Sequence, residues 1–124
     1  MSNNKPPAYQ HYAKDFIAGT SDMSCAEVGA YIRLLDHAWD SDPIATLPDD
    51  DTKLRRLSGA DPEEWTAIKK AVLVKFEKVD ELPGRLVNRR LRLLYEEREE
   101  FVQTASERGR KGAAARWAKN EDNA

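Results

Sequence analysis

Residues 23–39 read MSCAEVGAYIRLLDHAW and predict both the start and the buried face of a helix. Ser24 and Glu27 stand three residues apart, the spacing of a capping box in which each side chain bonds a free backbone N–H of the first turn. Apolar residues recur at helical spacing, at Val28, Tyr31, Ile32, Leu35, Ala38 and Trp39. The pattern therefore predicts a first core helix over about residues 24–40.

Two shorter helices follow, and both have clear start signals. Residues 49–51 are three aspartates that can cap a short helix, and Gly59 supplies the left-handed residue that ends it. Residues 61–64, Asp-Pro-Glu-Glu, open a third helix with a cap, a proline at the first helical position and a carboxylate three residues after the cap. Because few residues separate the two helices, the pattern is that of a helix-turn-helix.

The rest of the body predicts a β-hairpin. Pro83 and Gly84 suit the central positions of a type II turn, and residues 75–79 and 85–88 flank it as short strands. Three helices followed by a hairpin is the order of a winged helix. The expected fold class is therefore mainly α with a small β-hairpin. The predicted core residues are Leu35, Trp39, Trp65, Val72, Leu73 and Phe76.

The expected organisation has four parts. Residues 1–10, which contain a Pro-Pro pair, are predicted to be a flexible arm, and residues 11–90 the winged-helix domain. Residues 90–107 form the C-terminal helix, and residues 108–124 a basic, disordered tail. No apolar run has the length of a signal peptide or a membrane span, so we expect a cytoplasmic protein with no membrane partner.

Ordered matches along the chain resemble the prophage YdaU-like family, a domain of unknown function. They include Met-Ser-x-x-Glu-x-Gly-Ala-Tyr-x-x-Leu-Leu at residues 23–35, Leu-Pro-Asp-Asp at 47–50 and Gly-Arg-Lys-Gly-Ala-Ala-Ala-Arg-Trp at 109–117. Single matches stand at Tyr12, Asp15, Phe16, Trp39, Leu54, Leu57, Gly59, Trp65, Val72, Leu73, Phe76, Gly84, Asn88, Arg90 and Leu91. The resemblance implies a phage or prophage protein, often encoded near or fused to replication functions and similar to the winged-helix modules of primosomal proteins.

No pattern of catalytic or metal-ligating residues is visible, so neither an enzyme nor a cofactor is expected. His11 and His37 are isolated, and the lone Cys25 cannot form an internal disulfide. The aspartates at 49–51 resemble a magnesium ligand set, but beside a helix start they are more typical of caps and helix-dipole partners.

Charge is distributed unevenly along the chain. Residues 1–84 hold 10 Lys/Arg and 15 Asp/Glu, whereas residues 85–119 hold 10 and 5. The basic part can bind phosphate, or it can bind the acidic body of another copy. The candidate DNA-binding residues are Lys53, Arg55, Arg56, Lys69, Lys70, Arg85, Arg108, Arg110, Lys111, Arg116, Trp117 and Lys119.

The predicted third helix is poorly suited to reading bases. Its first turn contains Asp61, Glu63 and Glu64, which would face phosphates at an electrostatic cost, and its exposed part offers no Asn, Gln or Arg for bidentate base contacts. We therefore expect weak, sequence-independent contacts with the DNA backbone, led by the tail. Trp117 either stacks on an unpaired base or anchors a contact with another protein.

The last helix carries an apolar stripe that is longer than the small body can cover. We expect part of this stripe to be buried by a second copy in a two-fold homodimer. Arg98 interrupts the stripe, which argues against a long uniform coiled coil. The predicted interface residues are Leu91, Leu94, Tyr95, Phe101 and Val102, with Ala105 continuing the stripe.

Two functional hypotheses remain open. In the first, the chain is a phage or prophage replication accessory, a winged-helix adaptor that binds DNA weakly and helps to place a helicase or primosome on it. In the second, it is a protein-interaction module that assembles with itself or with a phage or host protein, and DNA plays no part.

Overall fold

The computed structural model describes residues 6–122, with side chains for residues 6–110, and residues 1–5 of the predicted arm lie outside it. In chain order the elements are α1 (Ala13–Gly19), α2 (Cys25–Trp39), β1 (Thr46–Pro48), α3 (Asp51–Ser58), α4 (Pro62–Leu73), β2 (Glu77–Lys78), β3 (Arg85–Val87) and α5 (Arg89–Asp122). The mainly helical class is confirmed, with a small antiparallel sheet. The chain divides into two compact units after Leu94, and the first of these is the body.

Helix α2 begins as the sequence predicts. The Ser24 hydroxyl accepts a hydrogen bond from the Glu27 N–H at 3.2 Å, and the Glu27 carboxylate accepts one from the Ser24 N–H at 2.7 Å. The buried face is turned slightly from the predicted stripe, because Leu34 is fully buried whereas Ile32 is 39% exposed. The helix contacts α3, α4 and β1, so its buried arc is wider than a single stripe.

Helices α3 and α4 form a two-helix unit with the predicted caps. Asp50 Oδ1 accepts a hydrogen bond from the Lys53 N–H at 2.9 Å and so caps α3, and Gly59, with a φ of +81°, ends it. Asp61 and Glu64 form a second capping box at the start of α4. Side-chain caps therefore mark both helix starts.

The predicted hairpin is only part of the sheet. Strands β2 and β3 pair antiparallel as expected, but β1 adds a third strand on the other side of β3, so the strand order is β1-β3-β2. Three residues that end in Pro48 give too short a pattern to predict a strand. Because β1 lies at the edge of the sheet, the missing N–H of Pro48 is tolerated.

One apolar core joins the helices and the sheet. Five of the six predicted core residues are buried, and Leu73, the last residue of α4, is half-buried. The sheet adds apolar residues that the sequence analysis does not select. The largest fully buried side chains include Leu34, Leu47, Leu54, Trp65, Val72, Val87 and Leu91.

Residues 6–10 are packed on the body, which corrects the prediction of a flexible arm for this part of the chain. Trp39 Nε1 donates a hydrogen bond to the Pro6 carbonyl at 2.8 Å. The Tyr9 hydroxyl donates to Asp36 Oδ1 at 2.7 Å, and the rings of Tyr9 and Trp39 lie 5.2 Å apart. A proline pair among polar residues is typical of a linker, and only these tertiary contacts override that preference.

Helix α1 is an element that the sequence analysis does not predict. It has seven residues, no buried residue and no side-chain cap. The ring of Phe16 stacks on Tyr31 with centroids 6.1 Å apart, and Lys75 Nζ donates to the Gly19 carbonyl at 2.6 Å. Long-range contacts of this kind leave no periodic signal in the local sequence.

Helix α5 starts directly after the sheet, with Asn88 as its cap. Asn88 Oδ1 accepts a hydrogen bond from the Leu91 N–H at 2.9 Å, and Asn88 Nδ2 donates to the Lys75 carbonyl at 3.1 Å. The side chain is 2% exposed and satisfied at both ends. This amide therefore joins the end of α4, the end of β3 and the start of α5.

The helix continues to Asp122, which differs from the predicted end near residue 107 and the predicted disordered tail. Three alanines at residues 113–115 have the highest helix propensity and oppose the helix-weakening effect of Gly109 and Gly112. Neither α5 nor any other helix in the described part of the chain is both long and apolar enough to cross a membrane.

Candidate nucleic-acid and protein interfaces

The carboxylate of Asp51 joins the starts of α3 and α4. Its Oδ1 accepts a hydrogen bond from Trp65 Nε1 at 2.8 Å and lies 3.4 Å from Lys69 Nζ. The Trp65 hydrogen bond, and after it the positive charge of Lys69, lower the pKa of Asp51. The two-helix unit is thus held by a polar link that the sequence analysis does not find, since the partners are 14 residues apart.

The two neighbouring aspartates also make structural contacts. Asp49 Oδ2 lies 3.3 Å from Lys78 Nζ on β2, and Asp50 caps α3. The three adjacent carboxylates therefore have separate structural partners. Among the side chains that the structure describes, no group of three or more His, Cys, Asp or Glu is arranged to hold a metal ion.

The cations of the body differ in how far they are engaged by the protein itself. Of the predicted DNA-binding residues in the body, three have exposed side chains, namely Lys53, Arg56 and Lys70. By contrast, Arg55 Nη1 donates to the Ala60 carbonyl at 3.1 Å, and Lys69 is paired with Asp51. The three exposed cations can contact phosphate directly. Arg55 and Lys69 must first break a contact within the protein.

Arg85 is held within the sheet. Its Nε and Nη2 donate to Thr46 Oγ1 at 3.1 and 2.9 Å, and Nη2 also lies 3.4 Å from the Thr46 carbonyl oxygen. Thr46 is 1% exposed, so the guanidinium is drawn toward the interior. These bonds connect the side chains of β3 and β1. To contact a phosphate, Arg85 must give up these bonds to Thr46.

The first turn of α4 keeps its negative charge at the surface. Asp61, Glu63 and Glu64 are exposed. The Glu64 carboxylate accepts a hydrogen bond from the Asp61 N–H at 3.1 Å, whereas Glu63 makes no contribution to the capping box. A phosphate approaching this end of α4 would meet carboxylates, which opposes the favourable dipole of the helix start.

Helix α5 beyond Leu94 contains an acidic segment and a basic segment. Residues 95–107, the acidic segment, hold five Glu and one Arg, and residues 108–119, the basic segment, hold five Lys/Arg and no Asp/Glu. Arg108 and Arg110 are exposed. Four other predicted DNA-binding residues lie in this segment, and their side chains are not among those that the structure describes. They are Lys111, Arg116, Trp117 and Lys119.

The predicted interface stripe is divided between the core and the surface. Leu91 is 1% exposed and belongs to the core of the body, which removes it from the predicted interface. Leu94 and Tyr95 are half-buried. Phe101 and Val102 are 74% and 45% exposed, so these two remain available for an intermolecular contact.

A cleft of about 640 Å³ lies between the N-terminal segment and the end of α2. Its walls include Tyr9, His11, Asp36 and Trp39. Burial, and then the hydrogen bond to Asp36, raise the pKa of the Tyr9 hydroxyl, which keeps it a neutral donor. The local sequence does not predict this cleft, because residues 1–10 with their Pro-Pro pair indicate a flexible arm.

Comparison with known proteins gives a family match. The profile of a family described as "Protein of unknown function (DUF1376)" matches residues 7–96, which span the body and the start of α5. No curated protein and no solved structure matches the chain.

Proposed function

The chain belongs to this family of unknown function, and we propose that it acts as a DNA-binding adaptor in phage or prophage replication. In this role it binds DNA weakly, without sequence preference, and helps to recruit a helicase or primosome. The observation that carries the proposal is the separation of charge: residues 1–84 hold 15 Asp/Glu and 10 Lys/Arg, whereas residues 108–119 hold five cations and no carboxylate.

We infer that the body is a winged helix. The order of α2, β1, α3, α4, β2 and β3 supports this, because a winged helix has the same order of helices and strands. The loop between β2 and β3 is then the wing, and α4 is the helix that would enter a groove. The exposed carboxylates at the start of α4 disfavour that use, so we assign the main DNA contact to the basic segment.

Exposed cations on a helix are sufficient for sequence-independent binding. Each phosphate that Arg108 or Arg110 neutralises releases condensed counterions, which gives affinity without any base contact. Lys53, Arg56 and Lys70 add further exposed charge on the body. Trp117 offers an aromatic ring for stacking on an unpaired base.

The replication context rests on the YdaU-like resemblance and not on the charge. Part of that resemblance, the match at residues 109–117, lies beyond the residues covered by the family profile. The acidic excess of residues 1–84 supplies a surface for a basic patch on a replication protein. An adaptor of this kind needs two independent contacts, and the chain separates them into the acidic residues 1–84 and the basic segment.

A binding titration tests the DNA part of the proposal. Fluorescence anisotropy of labelled single- and double-stranded DNA of two unrelated sequences should give similar affinities that fall steeply with salt. For the duplex, Arg108→Gln with Arg110→Gln should lower the affinity and reduce the magnitude of the salt slope by roughly 2, since each phosphate contact contributes about 0.9.

The matched variant is Lys53→Gln with Arg56→Gln, which removes the same charge from α3. We expect it to have a smaller effect on both affinity and slope. Tight binding to one sequence that is lost on changing residues 63–70 would contradict the assignment to α5. Absence of binding to either DNA form at low salt would reject the DNA proposal altogether.

The second candidate function is a protein-interaction module without DNA. The observation that favours it is the exposure of Phe101 and Val102, because exposed aromatic and branched side chains on one helix face are typical of protein interfaces. In that case the acidic and basic segments select the protein partner. Loss of partner capture with Phe101→Glu and unchanged DNA affinity would separate this function from the first.

A further inference from the structure

Helix α5 changes the sign of its charge along its length. The acidic segment carries four of its glutamates at positions 96, 97, 99 and 100, and the basic segment carries its cations from 108 to 119. Both segments lie in one continuous helix. At 1.5 Å per residue, the centres of the two charge groups are roughly 20 Å apart. This is two or more Debye lengths at physiological salt, so a neighbouring helix would meet each group separately.

An apolar face runs between the two charge groups. Phe101 and Val102 are exposed on it, and Ala105 and Gly109 follow at intervals of four residues from Phe101. Residues four apart lie on the same face of a helix. Because Ala105 and Gly109 are small, they leave room on this face for the phenyl ring of a second α5 helix.

We propose that this face binds the same face of a second copy, with the two α5 helices antiparallel and the two-fold axis close to Ala105. Charge complementarity fixes the orientation. In an antiparallel pair, each acidic segment lies beside a basic one, whereas a parallel pair places like charges together along the whole length. The inference goes beyond DNA binding and does not depend on it.

The position of the axis follows from the same charges. The glutamate group is centred near residue 98 and the cations near residue 113, and the midpoint of these positions falls close to residue 105. With the axis at this position, Phe101 packs against Gly109 of the partner subunit, which has no side chain to clash with the phenyl ring. The register therefore satisfies both the charge pattern and the packing of the phenyl ring.

Disulfide cross-linking tests the orientation in the full chain. The exposed Cys25 is first replaced by serine, and single cysteines are then placed on α5. With the axis at residue 105, Ala105→Cys should cross-link to itself under mild oxidation. Arg98→Cys and Gly112→Cys should each fail alone but cross-link when mixed, because these positions lie opposite each other.

Charge reversal gives a second, independent readout by sedimentation equilibrium. Arg108→Glu with Arg110→Glu should weaken an antiparallel dimer, by roughly two- to fivefold per exposed charge pair. Adding Glu99→Lys with Glu100→Lys to the same chain should restore the association. It should not restore DNA binding through Arg108 and Arg110, so failure of this inference and failure of the DNA proposal are distinguishable.

Two results would overturn the inference. Cross-linking of Arg98→Cys with itself, together with stronger association of the Arg108→Glu and Arg110→Glu variant, would establish a parallel pair. A monomeric mass at tens of micromolar, unchanged by Phe101→Glu and without cross-linking of Ala105→Cys, would show that this face does not pair with a second copy.

Discussion

The indole N–H of Trp65 donates a 2.8 Å hydrogen bond to Oδ1 of Asp51, and this bond ties α4 to the first turn of α3. The Trp65 side chain is 2% exposed, whereas the Asp51 side chain is 62% exposed. One aromatic residue therefore combines a large apolar burial with a polar contact at the protein surface. The relative position of α3 and α4 depends on both the burial of the Trp65 ring and its hydrogen bond to Asp51.

Replacing Trp65 separates its two contributions. Trp65→Ala should lower the free energy of unfolding by about 3 to 5 kcal/mol, because it removes a large buried ring. Trp65→Phe keeps an aromatic ring but loses the N–H bond to Asp51, so its cost should be smaller. Urea denaturation followed by circular dichroism measures both, with the exposed Lys70→Ala as a control expected to stay within about 0.5 kcal/mol. A Trp65→Ala protein as stable as this control would contradict the buried position.

The lowered pKa of Asp51 predicts a loss of stability in acid. Because the folded-state pKa lies below the unfolded value of about 4, the ionised carboxylate stabilises the fold above pH 4. That stabilisation disappears as the pH falls through the folded-state pKa. Asp51→Asn should therefore reduce the difference in urea midpoint between pH 6 and low pH. Asp22→Asn, on the turn before α2, is the exposed control, and an equal effect of both changes would count against the Asp51 link.

Two glycines should respond in opposite directions to alanine. Gly59 has a φ of +81°, and an added Cβ would lie 3.1 Å from the Arg33 side chain, so Gly59→Ala should destabilise the protein by about 1 kcal/mol or more. Gly29 lies inside α2 with nothing within 4 Å of an added Cβ, so Gly29→Ala should stabilise it by roughly 0.5 to 1 kcal/mol. Thermal unfolding of the two variants checks the sign of each change, and the same sign for both would refute the argument.

The buried amide of Asn88 should be difficult to replace. Asn88→Ala leaves the Leu91 N–H and the Lys75 carbonyl without their partner, which costs about 1 to 3 kcal/mol for each buried group. Asn88→Asp keeps the acceptor for Leu91 but loses the donor to Lys75. We expect hydrogen exchange at the start of α5 to quicken in Asn88→Ala and to be less affected in Asn88→Asp. Equal protection in the two variants would show that the cap bond is unimportant.

Local side-chain chemistry explains which parts of the fold could be predicted. The caps at Ser24, Asp50 and Asp61 and the stop at Gly59 act within three or four residues, so the sequence alone locates the helix starts. The core positions on α2 and α4 follow from helical periodicity in the same way. The mainly helical class is confirmed because these signals are strong and mutually consistent.

The parts that could not be predicted depend on distant residues. Strand β1 exists because it pairs with β3, whose residues lie 37 to 41 positions away in the register. Residues 6–10 are ordered by Trp39 and Asp36, and α1 is held by Tyr31 and Lys75. None of these partners can be identified from the local pattern, which by itself indicates a linker, a turn or a short loop.

The candidate interfaces could also be predicted only in part, because they depend on contacts between distant residues. Charge counts indicate where cations are concentrated, but only the structure distinguishes Arg85, bonded to Thr46, from Arg56, which is exposed. Periodicity likewise placed Leu91 and Phe101 on one stripe, whereas one is in the core and the other 74% exposed. Composition therefore indicates where charge is concentrated, and the assignment of individual residues requires their contacts.

The strand order has a consequence for the sequence of events during synthesis. The central strand β3 is the last of the three to leave the ribosome, so β1 and β2 wait without a pairing partner while α2, α3 and α4 already have their own caps. The sheet can close only after residue 87 has emerged. A nascent chain stalled before that point would expose two unpaired strands, and its release would allow both to pair with β3.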